Sequence, residues 1–553
     1  MTRADRVKPG PQALAGLLFL ASAAFVYWRN TQVGVLVDLG YVLNVATRIA
    51  LGDVPYRDFP LVNAPGEFLI QGALIKLFGP HYIIQIVYAS LAGGAATVLA
   101  FVIARRILAG VGRRSDGLAA IVALPLVPLG IYGILPNPFY DPDSCLAVLG
   151  ALALLLSARE TQSRPRLVGS GMLATVALFI GQNIGGAFLF AFVGVLVVEA
   201  WARPSSRREL GWIGLGVGAA LGVEVALLQL IVGIDAFLRW TWTFALSGRG
   251  VALERISDFA DPVVLWTVGV LAVVAIASPR VSRTARLLLS AAAVFVLAAS
   301  LIPSIVVGPP FMFPPVVMAS VVLCVVRTAR EGPTFGLLLP LVLVATTLGT
   351  IESQGLLGSS YGIYPLLSLA LACLARDIAL LVPRPARVAP YSAAVIALLL
   401  TGLGTVYTLQ NGRLMFIDVN APGPIASSTF PSLSGLSARG PYLLDLDAML
   451  FWIRANVPPE EGFVFLPGED PGYFALGRKP ALPSVYFFDV ASPYTPAELA
   501  RIADDVGLRW VFVKDRLQLV SEPPLHQAIV AALTVRATLV DRVGPYRIYR
   551  RAP

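Results

Sequence analysis

Residues 37–79 read VDLGYVLNVATRIALGDVPYRDFPLVNAPGEFLIQGALIKLFG, and the interpretation of the whole chain depends on this stretch. It lies between two long apolar segments and combines charged side chains with prolines and glycines. Connections of this length are usually functional or disordered, and the apolar periodicity here is that of amphipathic helices. The first carboxylate, Asp38, follows the preceding apolar segment by only a few residues. We therefore expect an ordered loop with an acidic side chain near its beginning.

The composition is that of a membrane protein. Of 553 residues, 57% are hydrophobic and 14% are charged, and the mean hydropathy is +0.76, whereas soluble domains carry about 25% charged residues. Many apolar runs approach the roughly 20 residues that a membrane-spanning helix requires. About thirteen spans are predicted, near residues 12–29, 81–104, 118–135, 143–157, 168–182, 185–201, 212–232, 263–278, 285–306, 311–327, 335–351, 357–382 and 391–409.

The basic residues predict the orientation of these spans. With the N-terminus in the cytoplasm, most Lys and Arg residues before residue 410 fall in the inside segments, as the positive-inside rule requires. This asymmetry accounts for the net charge of +9 without nucleic-acid binding. The first apolar run, Ala13–Tyr27, is interpreted as an uncleaved span, since no convincing small-residue cleavage site follows it. We predict a multi-pass protein of the inner (cytoplasmic) membrane.

After residue 410 the apolar runs shorten and charged residues return. We therefore predict a transmembrane domain at 1–410, with its first extracytoplasmic loop at 30–80, and an α/β domain outside the membrane at 411–553. In TPAELARIADDVG, Thr495 and Glu498 have the spacing of a helix capping box. Further helices are predicted at 444–456 and 525–534, and strands at 463–467, 510–515 and 546–550.

Several features of the first loop resemble a known family. An Asp after the first span is followed by GYVLNVATRIALG, then PYRDF, then a Pro-Gly before a second amphipathic segment ending in LFG. This pattern over residues 31–80 resembles the first extracytoplasmic loop of GT-C glycosyltransferases, most closely bacterial members of the protein O-mannosyltransferase and aminoarabinose transferase superfamily. PGYFALGRKP at 471–480 resembles a segment in the tails of the same enzymes.

The resemblance implies a fold and an activity. The expected fold is a polytopic α-helical membrane protein of GT-C type, with about 13 transmembrane helices and the α/β domain. The expected activity is an inverting transfer of a hexose or pentose from a polyprenyl-phosphate donor to a hydroxyl of a lipid, glycan or protein acceptor at the outer face.

Asp38 is the candidate general base. Transfer to a hydroxyl needs a group that takes the acceptor proton, and the sequence holds only 2 histidines. The family resemblance favours this catalytic role. The alternative is that Asp38 serves as the N-cap of the following helix, for which Asp is well suited.

Asp141 and Asp143 form an Asp-Pro-Asp motif just before a predicted span. The resemblance implies that an acidic motif in this second outer loop positions the acceptor or, in some members, a metal ion. Two carboxylates at this spacing suit Mg²⁺ or Mn²⁺. The alternative is a turn with a helix cap, which Pro142 and Ser144 would favour. We expect no required cofactor, with Mg²⁺ or Mn²⁺ at the two aspartates as the alternative.

Other candidates are assigned from charge and position. Tyr41, Arg57 and Asp58 are expected to position donor or acceptor. Arg57 and Asp58 are also interpreted as an ion pair that holds the loop, and contact of Arg57 with a phosphate is the alternative. Arg249 and Arg255 are candidates to stabilise a phosphate leaving group, with a solvated loop as the alternative.

Two further pairs lie in later outer loops. Gln182 and Asn183 mark a hairpin between two short spans and are candidates for positioning donor or acceptor. Gly181 replaces a Lys that often precedes a similar Gln-Asn in the family, which weakens a phosphate-binding role. Tyr361 and Tyr364 are candidates to line a sugar pocket, and anchoring at the membrane interface is the alternative.

The predicted topology brings the polar outer segments to one membrane face, which is the default indication of a site. These segments are Asp38 with PYRDF, residues 137–144, 182–186, 246–262 and 358–365. The alternative function is a transporter or flippase for lipid-linked sugars. Transporters often contain inverted repeats, and no clear repeat is visible in the sequence.

Overall fold

A computed structural model gives the fold. It describes residues 10–109, 111, 115–244, 282, 284, 313–354, 362–381, 388–409, 424–487, 493–517 and 524–552. The spans predicted at 263–278 and 285–306, the loop at 246–262 with Arg249 and Arg255, and Tyr361 lie outside the described residues.

The part of the chain before residue 410 is helical. Its helices are α1 (Pro11–Asn30), α2 (Leu36–Ala50), α3 (Gly66–Phe78), α4 (Tyr82–Ile107), α5 (Ser115–Ala123), α6 (Leu126–Leu129), α7 (Tyr140–Thr161), α8 (Arg164–Ile180), α9 (Gln182–Ala202), α10 (Arg207–Ile231), α11 (Ile234–Leu238), α12 (Phe313–Glu331), α13 (Phe335–Gln354), α14 (Tyr364–Leu381) and α15 (Val388–Leu409). A π-helical turn, Arg239–Phe244, follows α11.

Five helices in the described residues are long and apolar enough to cross a membrane. They are Pro11–Asn30, Tyr82–Ile107, Tyr140–Thr161, Gln182–Ala202 and Pro204–Ile231. Shorter apolar helices run over Phe335–Gly349 and Ala393–Leu409. The chain is therefore a multi-pass membrane protein, and the total of about thirteen spans remains a prediction.

The span predicted at 118–135 is wrong as a single helix. The chain forms α5, breaks, forms the single turn α6, and continues as irregular backbone through residue 135. Pro125 and Pro128 explain the break, because proline lacks the N–H that continues a helix and its ring clashes with the preceding turn. The apolar composition was that of a span, but the local backbone chemistry decided the structure.

The first loop contains two helices, α2 and α3, which pack against each other. Apolar residues occur on more than one side of α2, and the helix is accordingly buried between the membrane helices and the C-terminal region. Val42 and Val45 belong to the core formed by the membrane helices. A second cluster joins the opposite side of α2 to the C-terminal region, and its members include Leu36, Leu39, Leu43, Ala46, Leu443, Leu446 and Phe474.

The region after residue 410, called the tail below, combines helices and strands. Its helices are α16 (Tyr442–Asn456), α17 (Gly472–Leu476), α18 (Pro496–Asp505) and α19 (Pro524–Thr534). Its strands are β1 (Ile425–Ser427), β2 (Ser437–Arg439), β3 (Phe463–Leu466), β4 (Trp510–Lys514), β5 (Ala537–Val543) and β6 (Tyr546–Arg551). One sheet pairs β1 with β2, and the other has the order β3-β4-β6-β5, in which only β3 and β4 are parallel.

The sequence patterns of the tail correspond to these elements. The capping box predicted at Thr495 and Glu498 is confirmed, with both reciprocal hydrogen bonds present. The predicted helices and strands are confirmed within a few residues, but β5 was not predicted. Most residues of β5 are exposed, so it lacks the alternation of buried and exposed positions by which a strand is recognised. The domain boundary at 410/411 remains a prediction.

Candidate active site beneath the first loop

Asp38 is the third residue of α2 and is half-buried. The N-cap of α2 is Val35, so the alternative that Asp38 is the cap is wrong. A negative charge in the first turn still interacts favourably with the helix dipole. Asp38 is therefore a carboxylate with an accessible part, fixed at the beginning of a buried helix.

An ion pair inside the protein fixes the exit from α2. Arg48 donates from Nε to Oδ2 of Asp53 at 2.8 Å, and both side chains are buried. The guanidinium also lies over the Phe59 ring, 4.7 Å from its centroid. Breaking such a buried pair is costly because it leaves an uncompensated charge. The pair therefore holds the turn between α2 and the PYRDF segment.

Arg57 and Asp58 form the surface ion pair that was predicted. The guanidinium donates from Nε and Nη2 to the two carboxylate oxygens, at 2.9 Å each. This hydrogen bonding, with a second bond from the Val54 N–H, lowers the pKa of Asp58 to about 2. Because the Arg57 side chain is 56% exposed, we interpret the pair as a loop contact of small energetic weight.

Asp143 is buried among tyrosines. Its Oδ1 accepts a hydrogen bond from the Tyr132 hydroxyl at 2.5 Å, and its Oδ2 accepts one from the Tyr88 hydroxyl. Asp143 and Asp141 both lie in the first turn of α7, and both are buried. The N-cap is Phe139, so neither aspartate caps the helix. Asp143 is thus a structural acceptor whose two oxygens are both engaged.

Glu67, on α3, belongs to the site although no role was predicted for it from the sequence. Its carboxyl is buried beside Asp143, and Gln71 donates to its Oε1 at 2.8 Å. Burial and the neighbouring Asp143 raise the pKa of Glu67 well above its usual value. A raised pKa favours the neutral form of Glu67, as expected when two carboxyl groups share one buried site.

Gln182 hydrogen-bonds to backbone groups of two other segments. Its Oε1 accepts from the Ala64 N–H at 2.6 Å, and its Nε2 donates to the carbonyls of Val62 and Thr241 at 3.2 and 3.1 Å. All three partners are backbone groups, so the side chain holds the first loop against the start of α9. Asn183 is exposed.

Tyr364 and Tyr41 occupy different environments. Tyr364 is 5% exposed and belongs to the core of the membrane helices, so the alternative of an interfacial anchor is wrong. Tyr41 is half-buried and donates to Oδ1 of Asn63 at 3.2 Å. Its ring lies 6.2 Å from that of Tyr486, a residue of the tail.

The predicted outer segments at 137–144 and 182–186 meet the part of the first loop around residues 62–67. Glu67 lies beside Asp143, Gln182 accepts from the Ala64 N–H, and Gly362 lies against the backbone of Asp141. The segment 246–262 lies outside the described residues. The described part of the chain holds no group of three or more His, Cys, Asp or Glu placed to bind a metal ion.

Comparisons with known proteins bear on the fold. The structure of ArnT from Cupriavidus metallidurans bound to undecaprenyl phosphate is similar over 97% of this chain and 99% of that chain, with a TM-score of 0.50 and 14% identity. The oligosaccharyltransferase of Archaeoglobus fulgidus in complex with zinc and sulfate is similar over 91% of this chain and 68% of that one, with a TM-score of 0.50 and 12% identity. The same enzyme tethered to an acceptor peptide gives a TM-score of 0.50 at 11% identity, over 91% of this chain and 69% of that one.

No family model matches the sequence, and no curated protein is similar to it. The likeness to solved structures, at such low identity, concerns the fold alone. It confirms a helical membrane fold of GT-C type, while the number of spans and the separate C-terminal domain remain predictions.

Proposed function

We propose that the protein is a membrane glycosyltransferase that moves a sugar from a polyprenyl-phosphate donor to an acceptor hydroxyl at the outer face of the inner membrane. The observation that carries the proposal is the meeting of the first loop with α7, α9 and the residues before α14, in a fold shared with ArnT. Polar segments that converge from separate loops are the expected form of a catalytic site.

Asp38 is the proposed general base. It is half-buried, whereas Asp143 is 2% exposed. In the proposed step the acceptor oxygen bonds to the anomeric carbon while the bond from that carbon to the phosphate oxygen breaks. The acceptor proton passes to Asp38, and the polyprenyl phosphate leaves with the electron pair. Attack opposite to the leaving group inverts the anomeric centre.

The donor class is supported by the ArnT structure, which contains undecaprenyl phosphate. Arg249 and Arg255 are the proposed contacts for the leaving phosphate. Tyr41 and Asp141 are proposed to position donor or acceptor, and Tyr361 to line the sugar pocket. For Gln182 and Asp58, the observed contacts support a role in holding the loop instead.

The test is sugar transfer by the purified protein in lipid nanodiscs. A panel of radiolabelled undecaprenyl-phosphate sugars is incubated with envelope lipids, glycans and protein as acceptors. Appearance of label in an acceptor, with inverted anomeric configuration, supports the proposal. The same donors are also tested in proteoliposomes. Movement of the labelled lipid-linked sugar across the proteoliposome membrane, with no transfer to an acceptor in nanodiscs or proteoliposomes, would favour a flippase instead.

Reporter fusions test the proposed orientation. Fusions at Arg203 and Gly440 are expected to report opposite compartments, because an odd number of the predicted spans, from 212–232 to 391–409, lies between these two residues. The same compartment for both would separate the tail from the proposed site.

A further inference from the structure

The tail holds the segment just before α2. The Val33 N–H donates to the Ser437 carbonyl at 3.2 Å, and the Ser437 N–H donates to the Thr31 carbonyl at 2.6 Å. The Ser437 hydroxyl adds a bond to the Thr31 carbonyl at 3.0 Å. Strand β2 of the tail thus pairs, through a parallel β-bridge at Gln32, with the segment that leads into α2.

A second contact lies just after Asp38. A Cβ added to Gly40 would stand 2.1 Å from the carbonyl oxygen of Glu469, so the tail backbone touches the helix backbone at this position. One turn later, Asn44 donates from Nδ2 to the Asp470 carbonyl at 2.8 Å and accepts from the Phe474 N–H at 3.2 Å. Asn44 is completely buried, and its amide is matched to the tail backbone in both directions.

A third contact follows at the next turn. Arg48 donates from Nη1 to the carbonyls of Leu482 and Pro483, at 2.9 and 2.8 Å. Lys479 pairs with Asp53, the buried partner of Arg48. Positions 40, 44 and 48 are spaced by four residues and therefore share one face of α2.

The tail loop that makes these contacts is itself braced. Lys514 on β4 donates to Glu469 at 2.6 Å and to Asp470 at 2.8 Å, and all three side chains are buried. Hydroxyls of Tyr442 and Tyr546 donate to the two oxygens of Asp470, at 3.0 and 2.9 Å. Such a fully hydrogen-bonded network is rigid.

We propose that the tail is part of the catalytic unit and that its 468–474 loop and β2 position Asp38 by holding α2 on both sides of it. Asp38 lies between the contact at residues 31–33 and the contact at Gly40. This inference rests on the proposed function, in which Asp38 is the base. It also explains PGYFALGRKP: Phe474 contacts α2 and Lys479 contacts the turn after it.

Two substitutions on α2 test the proposal in the full-length protein. Gly40→Ala adds one methyl group that collides with the Glu469 carbonyl, although Ala is the better helix former. Asn44→Ala removes both hydrogen bonds to the tail. Displacement of a catalytic group by about 1 Å costs up to about 100-fold in rate. We expect kcat to fall about tenfold or more in each variant, with KM for the donor nearly unchanged.

Two matched control substitutions show whether an effect comes from the lost tail contacts or from the type of substitution itself. Gly16→Ala is the same substitution on α1, where an added Cβ has no atom within 4 Å. Thr47→Val removes a hydroxyl on α2 that donates only within the helix, to the Leu43 carbonyl at 2.7 Å. Both controls are expected to retain wild-type kcat.

Hydrogen exchange of the peptide 36–50 gives a readout that does not depend on turnover. Faster exchange in Gly40→Ala and Asn44→Ala, together with lower kcat and unchanged KM, supports the proposal. Unchanged exchange in both variants overturns it, as does faster exchange with wild-type kcat. If the wild-type protein transfers no sugar, the proposed function fails, and the exchange result alone decides whether the tail holds α2.

Discussion

Asp38 and Asp143 both lie in the first turn of a helix, yet their surroundings differ. Asp38, on α2, is half-buried. Asp143, on α7, is 2% exposed, with tyrosine hydroxyls on both oxygens and Glu67 beside it. A base must be reachable and able to take a proton. Asp38 has the accessible part that the proposed base requires, whereas Asp143 is enclosed by its partners, although the sequence shows both simply as aspartates near the ends of spans.

Asp38→Asn should produce the largest effect. It keeps the size of the side chain but removes its basicity, so transfer should fall by about 10²–10⁴-fold. Stability should change little, because a charge in the first turn is worth only about 0.3–1 kcal/mol. Expression, donor binding and transfer are measured together. A folded variant with near-normal transfer would remove the catalytic assignment.

Asp58→Asn is the control within the same loop. Asp58 pairs with the exposed Arg57, and exposed pairs contribute about 0–1 kcal/mol. Transfer by this variant should remain within about twofold of wild type.

Tyr132→Phe tests the structural role of Asp143. It removes a hydrogen bond to a charged acceptor, Asp143, which should cost about 1.5–3 kcal/mol. Tyr56→Phe is the matched control, because its hydroxyl donates to a neutral carbonyl, that of Asn63, at 2.7 Å. That loss should cost only about 0.5–1.5 kcal/mol. Equal losses of thermal stability in the two variants would contradict the greater weight assigned to the Tyr132 hydrogen bond.

Glu67→Gln sharpens the comparison through pH. Because folding raises the pKa of Glu67, the folded protein binds a proton that the unfolded chain releases above its ordinary pKa. The free energy of unfolding therefore falls as pH rises from that value toward the folded pKa, by at most about 1.4 kcal/mol per pH unit. The Gln variant keeps the size of the side chain but lacks this dependence.

Thermal unfolding of the wild type and of Glu67→Gln at pH 5 and pH 8 measures the difference. The Gln variant should gain relative stability at the higher pH. Parallel behaviour of the two proteins would mean that Glu67 is ionised in the fold.

The sequence predicted those features of the site that lie within one segment. The PYRDF ion pair and the capping box at Thr495 are local patterns, and each is found where the spacing indicates. The partners of Asp143 come from α3, α4 and the chain between α6 and α7, so only packing brings Glu67, Tyr88 and Tyr132 together.

Contacts between distant segments were missed for the same reason. Gly40 and Asn44 look like ordinary positions of an amphipathic helix. Their significance comes from backbone atoms more than 400 residues away, as for the Asn44 bond to Asp470 at a separation of 426. No local pattern encodes a contact with the main chain of another segment, because main-chain groups are the same at every residue.

Chelation of metal ions should have the smallest effect. The one sequence feature that suggested a metal is Asp-Pro-Asp, and a Mg²⁺ or Mn²⁺ ligand needs a free carboxylate oxygen. Asp143 has both oxygens engaged by tyrosines, and both aspartates are buried. Binding a metal there would require breaking these bonds. We therefore expect transfer in EDTA to remain within about twofold of the untreated rate, as for a reaction driven by a positioned base. Complete loss of transfer in EDTA, restored by Mn²⁺ or Mg²⁺, would make Asp141 and Asp143 candidate ligands again. It would also reverse the comparison, since the buried carboxylates would then take part in the chemistry.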